Sequence, residues 1–169
     1  MAGGIGSNKT IVFDVGGTIT GAFDLVNISY MTIDGSTAPA PGITINGGNN
    51  GDAISFDGAN THHIIMKNIR VQNAGNDGIN AIDGAHDIMI DHCSSRGNRD
   101  GNLDITTGSY NITVQYCILG GGANDAGYSG TMLLGYSPKN ISVHHTFFSP
   151  VTPGQVGERC PNISDPNLG

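Results

Sequence analysis

A right-handed parallel β-helix is the fold this sequence predicts, and three observations carry the prediction. The first is a repeat: His63-Ile-Ile-Met, Asp87-Ile-Met-Ile, Asn111-Ile-Thr-Val and Asn140-Ile-Ser-Val begin alike, at steps of 24, 24 and 29 residues. The second is an offset series, Gly78-Ile-Asn-Ala-Ile, Asn102-Leu-Asp-Ile and Thr131-Met-Leu-Leu, in which Ile79 and Leu103 are again 24 apart. The third is composition: 27 glycines, no tryptophan and 12% charged residues supply many corners and little material for helices laced by charge pairs.

Strands of about four residues cannot each bury a face alone, but stacking them coil on coil buries one long core. An antiparallel sandwich also has short strands, yet it gives no reason for equivalent residues to recur at a fixed period. The period therefore predicts parallel strands with Ile65, Met89 and Thr113 on one register. Upstream, Thr10-Ile-Val-Phe, Ser29-Tyr-Met-Thr-Ile-Asp-Gly, Gly42-Ile-Thr-Ile and Ala53-Ile-Ser-Phe read as earlier, less regular coils. Six to seven coils then cover residues 1–150, and residues 151–169, rich in Pro, Gly and Asn, read as an irregular tail. The 169 residues suit one domain with a continuous core.

The period also assigns the cysteines. Cys93 and Cys117 hold the same place in successive coils, on the register of Ile69 and Thr146, and are expected to stack inside as small apolar residues; Cys160 stands alone in the tail. His92 and His145 share a register with Asn68 and Tyr116, which predicts a stacked polar ladder. His62 and His63 have no carboxylate partner that the sequence can place.

A net charge of −7 argues against nucleic acid, whose phosphates need a Lys/Arg surface. It argues equally against simple capture of an acidic polymer. Either the ligand is neutral, or a divalent cation sits between two negative partners. No stretch reaches the roughly 18 apolar residues of a membrane helix, and Met1 to Asn8 lack the basic and apolar regions of a signal peptide. The sequons at Asn8, Asn27, Asn111, Asn140 and Asn162 read as turn asparagines ahead of strands, with glycosylation of a secreted chain the other reading.

The repeat brings acidic and amide side chains together. Asn76, Asp100 and Asn124 step by 24, Asp77 and Asp125 lie beside them, and Asn80 and Asp104 form a second rung pair. Ca²⁺ takes six to eight oxygen ligands, several of them carboxylates. Asp77, Asp100 and Asp104 read as ligands, because carboxylates stacked about 5 Å apart repel one another unless a cation intervenes. The other reading is corner chemistry, which suits Asn76 and Asn124 better.

Ile90-Asp91-His92-Cys93-Ser94, then Asp100-Gly-Asn-Leu-Asp104-Ile, then Asn111-Ile-Thr-Val resemble the pectate lyase family. Thr10-Ile-Val-Phe-Asp-Val-Gly-Gly-Thr-Ile, Thr37-Ala-Pro-Ala-Pro-Gly-Ile, Leu133-Leu-Gly, Val143-His-His-Thr-Phe-Phe and Glu158-Arg159-Cys-Pro161 extend the resemblance in the family's order. It implies a secreted, Ca²⁺-dependent lyase that cleaves polygalacturonate by β-elimination, with Asp77, Asp100 and Asp104 holding the metal and Arg159 removing the C5 proton. The family's members run to further coils after Arg-x-Pro, so the chain reads as truncated. Gly130 and Asn162 stand where the family has a lysine and a second arginine; Arg96 and Arg99 are candidates to meet the substrate instead. A non-catalytic carbohydrate-binding or structural β-helix is the alternative, followed by a hydrolase with paired carboxylates.

Overall fold

The computed structural model describes residues 7–48, 51–121 and 130–149, together with the backbone of Asn162–Ile163. The first coil holds β1 (Lys9–Val12), β2 (Gly17–Thr20) and β3 (Phe23–Val26), and the second β4 (Ser29–Asp34), β5 (Ile43–Asn46) and β6 (Ile54–Asp57). The third holds β7 (His62–Lys67), β8 (Ile69–Gln72) and β9 (Ile79–Ile82), and the fourth β10 (His86–Asp91), β11 (Ser94–Arg96) and β12 (Gly101–Thr106). The fifth holds β13 (Tyr110–Gln115), β14 (Ile118–Gly120) and β15 (Gly130–Gly135), and the sixth β16 (Lys139–His144), β17 (Phe147–Ser149) and β18 (Asn162–Ile163).

Like strands of successive coils pair in parallel, giving three six-stranded sheets. The chain is thus a β-solenoid with three strands per coil. Ser29, Gly42 and Ala53 begin three sides of a single coil. Met89 pairs with Ile65 on one side and Thr113 on the other, the register that the period predicts. Within the stretch read as an irregular tail, Asn162 and Ile163 pair with Leu133 and Leu134.

The strand period of two decides which side chains go inward. Ile64, Ile88 and Ile112 stack on one inward register and Met66, Ile90 and Val114 on the next, none more than 2% exposed. Each such burial contributes about 1.5–3 kcal/mol. Cys93 and Cys117 are free and buried in the same core. Burial pushes their thiols up to about 12 and about 11, which leaves them inert as nucleophiles.

Two stacks of left-handed residues run along the solenoid, the first at corners and the second within the first strand of each coil. Asn68, His92, Tyr116 and His145, between the first and second strands of their coils, have φ of 56°, 51°, 51° and 51°. Their rings form the expected ladder, with His92 on Tyr116 at 4.9 Å and Tyr116 on His145 at 4.7 Å. His63, Asp87, Asn111 and Asn140 form the second stack, with φ between 53° and 55°. The pairing skips them, running from His86↔Tyr110 to Ile88↔Ile112. Their side chains join instead: Asn140 donates to Asn111 at 3.0 Å, and Asn111 to Asp87 at 2.9 Å. His63 Nδ1 lies 3.6 Å from Asp87 Oδ2, the carboxylate partner that the sequence did not reveal. At the other end of the solenoid the core opens into an apolar cavity of about 180 Å³ lined by Ile11, Phe13, Phe23, Leu25 and Met66.

Candidate functional site

The third sheet carries an outward ladder in which Asp24, Ser55, Asn80, Asp104 and Leu133 lie in register. Asp104 points outward because Leu103 and Ile105 on either side are core residues with no exposure. Asp77 and Asp100 sit on the corners entering β9 and β12. These corners stack through the backbone, with Ala53 N–H donating to Asp77 O at 2.9 Å and Asp100 N–H to Asn76 O at 3.1 Å.

An interior polar network fixes those corners. Asn98 has no exposure; its Oδ1 accepts from Ala74 N–H at 2.9 Å, and its Nδ2 donates to Ser95 Oγ and Asn102 Oδ1, each at 2.9 Å. Gly78 lies against this network, and a Cβ there would meet Ser95, Asn98 and Asn102. The sequence reading missed Asn98, although a step of 24 back to Ala74 marks its place in the repeat.

Asp77 and Asp104 come together. Gly101 N–H donates to Asp77 Oδ1 at 2.7 Å, and a Cβ on Gly101 would collide with both Asp77 Oδ1 and Asp104 Oδ1. Gly101→Ala is therefore expected to cost about 1–3 kcal/mol through overpacking, read by thermal unfolding. The two carboxylates are 6% and 8% exposed, so they line a recess and not the open outer patch that the rung arithmetic suggests. Burial, then the charge of Asp52, raises Asp77 to about 7 against the opposing Gly101 N–H. Burial, then Asp77, then Asp100, raises Asp104 to about 8. Asp100 is raised by burial and by Asp52, while Arg99 opposes the shift.

Asp52 is the group the sequence reading overlooked. Its Oδ1 accepts from Asn76 Nδ2 at 2.7 Å and from Asp77 N–H at 3.0 Å, and its Oδ2 accepts from Asn80 Nδ2 at 3.0 Å. One step of 24 back from Asn76 reaches it. Among the described residues, no three His, Cys, Asp or Glu side chains are already gathered around one point. The recess instead holds two converging carboxylates, with Asp100 and Asp52 within electrostatic reach and two buried oxygens, Asn80 Oδ1 and Asp104 Oδ1, lacking any hydrogen-bond partner. An all-oxygen, electron-rich set with unused acceptors suits a hard divalent cation completed by water.

Arg99 is exposed beside Asp100 at the rim of the recess. Arg96 is exposed on the second sheet, paired with Gln72, and so faces away from the ladder that carries Asp104. Gly130 pairs with Gly101. Arg159, Asn124, Asp125 and Cys160 lie outside the described residues.

The chain is 35% identical over 127 residues to the probable pectate lyase C of Emericella nidulans, a span covering 75% of this chain and 30% of the relative. The Aspergillus terreus protein of the same name is 32% identical over 130 residues, 76% of this chain and 30% of the relative. That of Neosartorya fischeri is 33% identical over 118 residues, 69% and 27%. The chain is a pectate lyase homologue. No protein-family model and no solved structure matches it. The homologue spans about 30% of the length of these curated relatives, and its parallel β-solenoid is the fold expected from the resemblance. No helix among its described residues is long and apolar enough to cross a membrane.

Proposed function

We propose that this pectate lyase homologue carries the Ca²⁺ site of an extracellular lyase that cleaves pectate by β-elimination. The observation that carries the reading is the convergence of Asp77 Oδ1 and Asp104 Oδ1 in a recess where Asp104 Oδ1 and Asn80 Oδ1 lack hydrogen-bond partners. Asp77, Asp104 and the flanking Asp100 hold the cation. Bound there, Ca²⁺ would draw charge from a uronate carboxylate and so acidify the neighbouring C5–H.

Arg159 is the residue proposed to take the C5 proton. The C5–H electrons then form the C4–C5 double bond, the C4–O bond breaks, and the leaving oxygen takes a proton from water. Because a guanidinium is ordinarily protonated, Arg159 acts only from a locally deprotonated state. Arg99 at the rim meets a second uronate carboxylate. Arg96, on the neighbouring sheet, is a candidate for a chain that wraps past the corner.

One observation favours a second reading. Gly130 stands in register with Gly101 beside the acidic recess, where the resemblance leads one to expect a lysine, and Asn162 replaces an arginine. Without those cations the recess binds uronate through the metal and does not turn it over. Incubation with polygalacturonate decides between the two. Ca²⁺-dependent ultraviolet absorbance from the conjugated unsaturated uronate, lost in Arg159→Ala with Ca²⁺ affinity unchanged, is the expected result. Calcium-dependent binding with no such absorbance supports the binder, and new reducing ends without the chromophore mean hydrolysis.

A further inference from the structure

The oxygens of the recess are not all carboxylate. Asn80 lies next to Asp104 in register, is 7% exposed, and its Oδ1 is buried without a hydrogen-bond partner. Its Nδ2 is held by Asp52 Oδ2 at 3.0 Å. Amide nitrogen and oxygen diverge from Cγ, the nitrogen a donor and the oxygen an acceptor. Asp52 lies on the coil before Asn80 and Asp104 on the coil after it. Fixing the NH₂ toward Asp52 therefore turns the carbonyl toward the coil of Asp104.

Asp52 is equipped for that task, since its Oδ2 accepts from the Asn80 amide while its Oδ1 is anchored by Asn76 and the Asp77 backbone. A carboxylate at position 80 would sit in register with Asp104 and within reach of Asp52, adding a repelling charge. An amide supplies an oxygen without that charge, and amide carbonyls are ordinary ligands of hard cations. The orphaned carbonyl of Asn80 is thus explained by a ligand, whereas nothing else among the described residues satisfies it.

We propose that Asn80 Oδ1 is a neutral ligand of the divalent cation held by Asp77 and Asp104, and that Asp52 is the positioning residue that locks the amide in its ligating orientation. The inference rests on the metal reading above and adds to it two residues, one of them outside the carboxylate set.

Calorimetric Ca²⁺ titration of the whole chain tests it, at a pH above the value near 8 at which Asp104 ionises. Asn80→Leu and Asp52→Ala are each expected to weaken Ca²⁺ binding by about tenfold or more. The double variant is expected to bind no more weakly than the weaker single one, because Asp52 acts through Asn80. Circular dichroism in chelator establishes that each variant is folded, and Asn80→Ala carries the same expectation should Asn80→Leu not fold. Parental affinity in the folded Asn80 variants overturns the ligand. Multiplied losses in the double variant overturn the positioning role. A parent that binds no Ca²⁺ overturns the metal reading itself and this inference with it, a result distinct from the other two.

Discussion

In chelator, raising the pH from 4 to 8 is expected to remove on the order of 5 kcal/mol of folding stability, and Ca²⁺ is expected to restore it. The sign follows from the two buried carboxyls. In the unfolded chain an aspartate ionises near 3.8; in the fold, Asp77 is raised to about 7 and Asp104 to about 8, first by burial and then by neighbouring carboxylates. Their contribution is fully present below pH 3.8, where both states are protonated, and is lost as pH climbs through the folded values. The native state then holds two like charges in a recess with little water to screen them. A cation reverses the penalty, so its affinity should increase with pH, with up to two protons released per ion bound near neutrality. Melting curves at several pH values, with and without Ca²⁺, check the stability; calorimetry in buffers of different ionisation enthalpy counts the protons. Stability in chelator that stays flat or rises between pH 4 and 8 would show that burial and the neighbouring carboxylates do not raise the two carboxyls as the structure indicates.

Asn98→Ala is expected to destabilise the protein by roughly 3–4 kcal/mol, among the largest effects of any single polar substitution in it. Three groups lose their partner at once: the Ala74 N–H, Ser95 Oγ and Asn102 Oδ1. All lie in the interior, with Ala74 and Asn102 no more than 2% exposed and Ser95 fully buried, so water does not readily replace what is lost. Urea unfolding measures the cost. Because Ala74 and Asn102 belong to the corners that present Asn76, Asp77 and Asp100, the same substitution is expected to loosen the recess and weaken Ca²⁺ binding. Asn98→Ser supplies one hydroxyl as a smaller donor and acceptor and should recover part of the loss; equal stability of Asn98→Ala and parent would mean that the network contributes little.

The legible parts of this chain are those that repeat. Ile65, Met89 and Thr113 were placed by spacing alone, as were the cysteine stack and the ladder of His92, Tyr116 and His145. The second strand of each coil was harder to read: Ile-Arg-Val-Gln, Ser-Ser-Arg and Ile-Leu-Gly, the segments at 69–72, 94–96 and 118–120, share register but no residue pattern. Their common feature is backbone pairing, which any side chain can accompany. Arg96 and Arg99 read alike in the sequence, three positions apart, yet the corner between them turns one out from the second sheet and leaves the other beside Asp100.

What the sequence determined by itself is the period, and through it the parallel stacking, the inward faces and the adjacency of Asp77, Asp100 and Asp104 on neighbouring coils. A period fixes which residues lie one rung apart, because parallel pairing in register translates sequence distance directly into neighbourhood. Only the tertiary structure decided how deeply those residues lie and what they touch. Burial of Asp77 and Asp104, the grip of Asp52 on the Asn80 amide and the clamp of Asn98 across two corners depend on side-chain direction and on how three sheets close around a core, and neither is written in a one-dimensional spacing.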